Sequence, residues 1–528
     1  MKFTRLMFLT TNIGLVLRAT WNLIKPWAEE GKLPTFKKFI EEGAWGSLES
    51  TIPPSSAPAW VSIFTGVSPG KHSIYSFGKR IKGSYFSRPL SSRDIKAEPI
   101  WRILTMRNKK GIFINIPLAY PVDKVNGILI SGLLTPSKTS NFTYPQFIKD
   151  IILRKFPNYD VDFNEDEILY SKDKNFIINR IYEVTKAHIE TFKYFFKSEK
   201  ADIYFIVLRS TDVIQHFFWH KKDILLKFYK QIDEFLDWII KFKDENDIVI
   251  ICSDHGFQGV KKRIYLNKWL EKEGFLRVRR KRIYINALPL LETIILLFAK
   301  LKLKRLLWYL KRNRYLLKML RFLPSKAMGY INIIDWSKTL AYAECGSEWA
   351  IIWINLKGKF PRGIVDGSQF EEIREKIINK IRELNDPETG ESVVMMSKKG
   401  EDIYGNIKDA PHIVLLPKDG YVFRSTINNP SIFEYEYERT GEHSLRGIIA
   451  FYGKYINKGE FKGIKVYDIV PTILALLGLP IPTYVDGKVL KDIFKTPLKI
   501  KYKPNHHQVR IKIQKLLSKL NKDKNITK

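Results

Sequence analysis

The sequence predicts an α/β protein with a doubly wound, mostly parallel sheet, helices on both faces of that sheet, and an inserted cap subdomain. Three apolar runs, at residues 111–117, 201–208 and 247–256, are rich in Ile and Val and show almost no alternation of polar and apolar residues. Such runs are typical of parallel strands that are buried on both faces. Amphipathic stretches separate the runs, and strand–helix–strand order over about 250 residues indicates a doubly wound sheet.

The predicted helices between these strands include residues 143–155, 175–198 and 220–246. From about Lys261 the composition changes, and a basic, leucine-rich helical region runs to about Ser325. Because this region interrupts the order of strands and helices, we interpret it as part of an insertion.

A hairpin is predicted at residues 339–358, and strand-like runs return at 412–417 and 446–453. We therefore divide the chain into four segments. They are the first part of the core at 1–260, the inserted cap subdomain at 261–400, the second part of the core at 401–498, and a basic C-terminal tail at 499–528.

The net charge of +34 is concentrated in two segments. Residues 261–326 carry 20 Lys and Arg against three Glu, and residues 497–528 carry ten against one Asp. Within the first segment, residues 288–321 alternate Leu with Lys and Arg at near-helical spacing. This pattern indicates either the solvated face of a helical cap or a cationic surface that binds an anionic membrane or guides an anionic substrate. Nucleic acid is not favoured as a partner, because no recognised binding fold accompanies the charge.

The cellular compartment is predicted from cysteine usage and from the apolar runs. Two cysteines, Cys252 and Cys345, argue against a disulfide framework and favour a reducing compartment. The apolar run at 283–303 contains too many polar residues for a spanning helix, which needs about 20 apolar residues. Residues 1–21 resemble a signal peptide, but Arg18 interrupts them and no small-residue cleavage site follows. We expect a cytoplasmic protein, with peripheral attachment to a membrane as an open alternative.

Polar side chains follow the predicted strands where ligands bind in open α/β sheets, beyond the carboxyl ends. Asp212 and His216 come after one strand at a spacing that one helical turn would align. Asp254 and His255 end another strand, and His443 lies in a predicted loop before a further strand. Each residue alone has a simpler interpretation, such as a helix cap, a turn or a partly buried histidine. Together they favour a site for Zn²⁺ or a similar divalent cation.

Two adjacent serines, Ser55 and Ser56, lie among the prolines of the sequence IPPSSAPAW. Chain that is fixed by proline and runs into a helix start can hold one hydroxyl rigidly. A serine hydroxyl is a poor nucleophile at neutral pH, so it needs a base or a metal ion to activate it. The residue pattern alone leaves open which serine is used and whether either serves only as a helix cap.

The order of these motifs resembles the alkaline phosphatase superfamily, in its type I phosphodiesterase/nucleotide pyrophosphatase branch. The resemblance covers nearly the whole chain and is carried by STIPPSSAPAWVSIFTGVSPGKHSI, STDVIQHFFW, SDHGF, TGEHSLRGI and VYDIVPTILALLGLPIPTYVDGKVL. It implies an alkaline phosphatase-like fold and a metal-dependent hydrolase that cleaves phosphodiester or pyrophosphate bonds. The sulfatase branch is less similar, because Trp60 stands where that branch carries Arg.

The resemblance also implies roles for the site residues and two divalent cations, with zinc favoured and manganese as an alternative. Ser56 would be the nucleophile and would be phosphorylated transiently. Asp212, His216 and His443 would hold one cation. Asp254 and His255 would hold the second, which also contacts the nucleophile. The substrate would be a phosphorylated small molecule or a nucleotide.

One metal ligand of the family pattern is missing from the first strand. Relatives carry Gly-x-Asp-Gly-Ala-Thr-Trp there, whereas this chain has Val16, Leu17 and Arg18 before the matching Ala-Thr-Trp. Neither Val nor Leu can ligate, and Arg18 would repel a cation. The second cation site would then be weak, completed by water, completed by Asn12, or empty. We expect one tightly held metal per chain. Because the first-strand Asp is missing, the alternative to a hydrolase is a degenerate, non-catalytic family member that binds an anionic ligand or a membrane surface.

Overall fold

The computed structural model describes most of the chain outside its two ends and the basic segment. The described residues are 12–16, 19–163, 165, 168, 171, 173–279, 331, 333–407 and 409–504. Residues 288–321 and most of the tail at 499–528, to which the sequence assigns the basic surfaces, lie outside them.

The helices of the described residues are, in chain order, α1 (Trp21–Glu29), α2 (Pro34–Glu42), α3 (Ser56–Thr65), α4 (Pro69–His72), α5 (Ile100–Met106), α6 (Ile148–Lys155), α7 (Lys174–Ser198), α8 (Ser210–Phe218), α9 (Lys222–Phe242), α10 (Leu266–Lys272), α11 (Phe370–Arg382), α12 (Gly400–Tyr404) and α13 (Ile469–Leu476). No helix in this part of the chain has both the length and the apolarity that crossing a lipid bilayer requires.

The strands of the described residues are β1 (Asn12–Val16), β2 (Ala44–Glu49), β3 (Gly78–Arg80), β4 (Ser87–Pro89), β5 (Gly111–Ile116), β6 (Gly127–Ser131), β7 (Thr143–Tyr144), β8 (Ile203–Val207), β9 (Ile248–Cys252), β10 (Gly256–Tyr265), β11 (Ala341–Cys345), β12 (Ala350–Ile354), β13 (Val394–Lys399), β14 (Ile413–Pro417), β15 (Gly420–Arg424), β16 (Phe433–Tyr435), β17 (Gly441–Ser444), β18 (Arg446–Tyr452), β19 (Gly459–Lys465), β20 (Ile481–Pro482) and β21 (Tyr502–Lys503).

A nine-stranded sheet forms the centre of the core, in the order β19-β2-β18-β9-β1-β8-β5-β6-β7. Strands β9, β1, β8, β5 and β6 run parallel to one another, and β19 runs parallel to β2. The exceptions are β18, which is antiparallel to both neighbours, and the edge strand β7. The mostly parallel sheet predicted from the sequence is confirmed.

Helices cover both faces of this sheet because alternate residues of its buried strands point to opposite sides. In β5, Ile112 and Ile114 pack with helices α1, α2, α7 and α9, whereas Phe113 packs with α3, α5 and α13 on the other face. Residues of β8 and β9 divide between the two faces in the same way. The doubly wound arrangement therefore follows from strands without polar alternation, as the sequence indicates.

A smaller, separate core is built around a four-stranded sheet in the order β11-β12-β14-β13. The predicted hairpin at 339–358 is present as the antiparallel pair β11–β12. The sequence assigns residues 401–498 to the main core, but β14 pairs with β12 and β13 in the smaller sheet. Its five buried residues cannot reveal which sheet they join, and the chain returns to the large sheet only at β18.

A second small sheet has the order β15-β10-β16, and a fourth strand, β17, also pairs with β10. Strand β10 follows directly after the core strand β9, and β15 follows directly after β14 of the smaller sheet. The pairing of β10 with β15 therefore connects the large sheet of the core to the smaller sheet through hydrogen-bonded strands.

Candidate active site

The predicted site residues meet at one edge of the large sheet, where β2, β8 and β9 end. Ser56 opens α3 after β2, Asp212 lies on α8 after β8, and Asp254 comes two residues after β9. His443 lies on β17 rather than in a loop, just before the antiparallel strand β18 begins at the same edge. The carboxyl ends of parallel strands thus gather side chains that are far apart in sequence.

Asp212, His216 and His443 form the first group of candidate ligands. Helix α8 places Asp212 and His216 one turn apart, with His216 Nε2 3.4 Å from Asp212 Oδ1. His443 Nε2 lies 3.2 Å from the same oxygen and 3.0 Å from His216 Nε2. All three side chains are buried. In a tetrahedral zinc site with bonds of about 2.0–2.1 Å, ligand atoms lie about 3.3 Å apart, so this group fits a single cation.

The hydrogen bonds of the two imidazoles strengthen this fit. His216 Nδ1 donates to the Gly441 carbonyl at 2.9 Å, and His443 Nδ1 donates to Glu348 Oε1 at 2.9 Å. With both Nδ1 atoms protonated, the two Nε2 atoms would present lone pairs to each other. That arrangement requires a proton or a cation between them.

Carboxylates behind the histidines set the charge of the first group. Burial alone would lower the pKa of His443, but Glu348, Glu442 and the hydrogen bond with Asp212 outweigh it and raise the pKa to about 10. Burial raises the pKa of Glu442, whereas the nearby His216, Arg439 and His443 lower it to about 2. The group is therefore strongly anionic around its histidines, which favours a bound cation.

The buried Arg209 and the half-buried Arg439 balance part of this negative charge. Arg209 Nε lies 3.6 Å from Asp212 Oδ2, and the same guanidinium binds Asp162 and Glu165. Arg439 bonds Glu165 at 2.8 Å and lies 3.7 Å from Glu442 Oε2. These contacts leave Asp212 Oδ1 as the carboxylate oxygen that faces the two histidines.

Ser56, Asp254 and His255 form the second group. His255 Nε2 lies 3.2 Å from Asp254 Oδ2 and 3.1 Å from Ser56 Oγ, and all three side chains are buried. His255 Nδ1 donates to the Gly256 carbonyl at 3.1 Å. The His255 ring stacks on the His443 ring with centroids 3.6 Å apart, so the two groups are adjacent.

Asn12, one of the alternatives for completing the second group, does not lie near it. Asn12 pairs with Ile203 and Ile248, the first residues of β8 and β9, whereas Val16 pairs with their last residues. Four residues of strand separate Asn12 from the carboxyl edge, which is about 13 Å. The parallel register therefore contradicts Asn12 as a replacement ligand.

The described residues contain two groups of three candidate ligands whose atoms lie within 4.8 Å of one another. These groups are Asp212 with His216 and His443, and Glu348 with Glu442 and His443. Asp254 and His255 belong to neither.

Four residues of the site were missed from the sequence: Arg209, Glu348, Arg439 and Glu442. Glu442 had a usable signal, because an acidic residue directly beside a candidate ligand histidine can orient a neighbouring ligand. Glu348 had none, since it lies in the turn between β11 and β12 of the other sheet.

Comparison with known proteins identifies the family to which this site belongs. The model of the family "Type I phosphodiesterase / nucleotide pyrophosphatase" matches residues 18–446, which is most of the chain. The chain belongs to this family. It is therefore a hydrolase of the phosphodiesterase and pyrophosphatase type, as the resemblance of its motifs implies. No curated protein matches the sequence.

A solved structure, known in two complexes, shows the same fold. Phosphonoacetate hydrolase from Sinorhizobium meliloti 1021 in complex with phosphonoformate is 11% identical with a TM-score of 0.55, and covers 89% of this chain and 95% of its own. Its complex with phosphonoacetate gives a TM-score of 0.54 at the same identity and coverage. Human ectonucleotide pyrophosphatase/phosphodiesterase 5 is 12% identical with a TM-score of 0.49, covering 92% of this chain and 100% of its own. The alkaline phosphatase-like fold predicted from the sequence is confirmed.

Proposed function

We propose that the chain hydrolyses phosphodiester or pyrophosphate bonds, with Ser56 Oγ as the nucleophile that receives the phosphoryl group. The contact of Ser56 with His255, directly beside the Asp212 group, is the observation that carries this proposal. Ser55 is the residue before the helix, and its side chain makes no capping hydrogen bond.

The surroundings of Ser56 suit an anionic substrate. Ser56 is the first residue of the ten-residue helix α3, whose N-terminal N–H groups and dipole favour a phosphoryl group. His255 keeps its Nδ1 hydrogen on the Gly256 carbonyl, so its Nε2 lone pair points towards Ser56 Oγ at 3.1 Å and Asp254 Oδ2 at 3.2 Å, the two oxygens beside which the second cation would lie.

The cation sites complete this proposal. Asp212, His216 and His443 would hold one divalent cation, zinc or manganese, and Asp254 and His255 would hold the second more weakly. A cation held there would supply Lewis-acid stabilisation of the charge on the transferring phosphoryl group and on the leaving oxygen. The residues of the chain supply the nucleophile, the helix N-terminus and the orientation of the ligands.

The substrate class is tested with Ser56→Ala and the matched control Ser55→Ala, assayed with Zn²⁺ or Mn²⁺. The panel contains aryl phosphodiesters, dinucleoside polyphosphates and phosphonoacetate, since one solved structure with this fold is a phosphonoacetate hydrolase. We expect Ser56→Ala to lose at least about 10³-fold in kcat and Ser55→Ala to stay near wild type. A phosphorylated Ser56 peptide in mass spectra of acid-quenched enzyme would support the intermediate. Full activity of Ser56→Ala would contradict the mechanism.

A second candidate function is binding of an anionic ligand without turnover. The observation that favours it is the end of β1, where Val16 occupies the position level with Cys252 and no acid is present in the described strand. A phosphorylated ligand that binds in calorimetry but is not hydrolysed by any cation-loaded preparation would establish this function instead.

The attachment of residues 288–321 to anionic membranes stays a sequence-based prediction, as does the cytoplasmic location. Flotation with anionic vesicles at low and high salt tests the attachment. Electrostatic binding must weaken as the ionic strength rises, and flotation that is absent or independent of salt would contradict it.

A further inference from the structure

A turn of the inserted subdomain carries one carboxylate into the core. Glu348 lies between β11 and β12, and its side chain is 4% exposed. Its Oε1 accepts a hydrogen bond from His443 Nδ1 at 2.9 Å. A buried carboxylate from one sheet thus contacts a candidate ligand on another.

This turn is built to hold a fixed position. Gly346 N donates to the Trp349 carbonyl at 3.0 Å, and a Cβ atom at Gly346 would lie 2.2 Å from the Trp349 ring. Phe423 N on β15 donates to the Ser347 carbonyl at 2.7 Å. Because Gly346 is packed this closely and Ser347 is bound to β15, the turn that carries Glu348 has little freedom to move.

Strand pairing then relates the turn to His443. Strand β15 pairs with β10 in parallel, and β10 pairs with β17, where Phe257 lies opposite His443. A continuous series of backbone hydrogen bonds therefore joins the Glu348 turn to the strand that carries His443. The short contact between the two side chains is a consequence of this pairing.

The contact decides which nitrogen of His443 faces the site. When a cation has displaced the proton from Nε2, the imidazole carries one hydrogen, and a carboxylate beside Nδ1 can only accept it. Glu348 therefore keeps the hydrogen on Nδ1 and leaves the Nε2 lone pair towards Asp212 and His216. Without this acceptor, the hydrogen could move to Nε2, where it would exclude a cation.

We propose that Glu348 is a positioning residue through which the inserted subdomain sets the cation affinity of the Asp212, His216 and His443 group. This inference rests on the proposed function, which places a divalent cation there. The proposal also means that Glu348, Glu442 and His443 do not form a separate cation site. Such a site would need His443 Nδ1 as a ligand, whereas Nδ1 donates its hydrogen to Glu348 and Nε2 serves the first group.

The inference is tested by Zn²⁺ titration against a competing chelator, with wild type, Glu348→Gln and Glu348→Ala. Carboxylates that orient ligand histidines contribute roughly 10–100-fold in metal affinity. We expect Glu348→Gln, which keeps an acceptor but loses the charge, to fall about 10-fold, and Glu348→Ala to fall about 100-fold. The absorption spectrum of bound Co²⁺ should change in the same order, because the orientation of one ligand changes.

Glu344→Gln is the matched control. Glu344 lies on β11 of the same hairpin and pairs with Arg80 at 2.6 Å, so its loss removes an ion pair of the subdomain without touching His443. Its Zn²⁺ affinity and Co²⁺ spectrum should equal those of wild type. Urea midpoints of all variants show whether a change in Zn²⁺ affinity reflects a loss of folding. Glu348→Gln is included because it preserves the side-chain volume and so disturbs folding least.

Two results would overturn the inference and are distinguishable from each other. If both Glu348 variants bind Zn²⁺ as wild type does, while Asp212→Asn loses it, the cation site stands and the role of Glu348 is wrong. If Asp212→Asn binds Zn²⁺ as tightly as wild type, the proposed cation site itself is wrong, and the role of Glu348 fails with it.

Discussion

The two halves of the site have the same kinds of ligand but different support. In the first half, Asp212, His216 and His443 converge within 3.4 Å, and the hydrogen bonds of both histidines fix their orientation. In the second half, Asp254 and His255 contact Ser56, but no acid comes from the end of β1. The carboxylates that surround the ligands therefore say more about the cation affinity of each half than the identity of the ligands does.

The difference has an electrostatic origin. A divalent cation in a buried site needs negative charge and fixed ligands to replace its hydration shell. Glu348 and Glu442 supply that charge behind the first half. The second half has lost one carboxylate relative to the family pattern, so we expect its cation affinity to be much lower.

The largest expected difference between the halves appears when one carboxylate is removed from each in turn. Asp212→Asn takes away a ligand of the supported half, and we expect Zn²⁺ affinity to fall by more than about 100-fold, beyond the loss of an orienting residue. Asp254→Asn changes the weaker half, and the tight Zn²⁺ should bind within a few-fold of wild type. Isothermal titration with Zn²⁺ measures both.

The two Asn variants control for each other, because each replaces one buried Asp by its isostere. Equal losses of affinity in the two variants would show that the halves act as one site and would remove the contrast between them.

A smaller and opposite effect should follow from restoring the missing ligand. The double variant Leu17→Asp/Arg18→Gly recreates the Asp-Gly of the family pattern and removes a repelling charge. We expect its second cation to bind roughly 10–100-fold more tightly than in wild type, since a carboxylate returns. Competition titration measures the affinity, and the single variant Arg18→Gly separates the loss of charge from the gain of a ligand.

If Arg18→Gly alone restores tight binding, repulsion rather than a missing ligand explains the weak half. If neither variant changes it, the end of β1 does not contribute to cation binding.

The last effect concerns stability. A cation that binds only the folded state stabilises it by about 2.7 kcal/mol at a free concentration of 100 times Kd. Chelation should therefore lower the urea midpoint of wild type and leave that of Asp212→Asn nearly unchanged. Asp254→Asn should respond to chelation as wild type does, and a lost response would place the stabilising cation in the second half.

Much of the fold could be predicted from the sequence because buried parallel strands have a distinctive composition. The predicted helices at 175–198 and 220–246 are observed as α7 and α9 with small shifts at their ends. At 143–155 the helix covers only Ile148–Lys155, and Thr143–Tyr144 form the edge strand β7. Strand β14 could not be assigned to its sheet, because its apolar run would suit either core.

The site was predictable to the extent that its residues follow strands. Five candidate ligands and Ser56 lie at one edge of the sheet, as their positions after strands indicate. Glu348 was not predictable, because its position depends on how a hairpin of the other sheet packs against β17. The failure of Asn12 has a similar reason, since only the strand register shows that it lies at the opposite edge from the ligands.

The metal content of the purified protein tests the difference between the two halves most directly. Wild type is loaded with Zn²⁺, dialysed against metal-free buffer and measured by elemental analysis against protein concentration. We predict one zinc per chain after dialysis, and a second only when excess Zn²⁺ is present. Two zinc ions retained per chain would contradict the account, because they would require a strong ligand in the second half that the described residues do not provide.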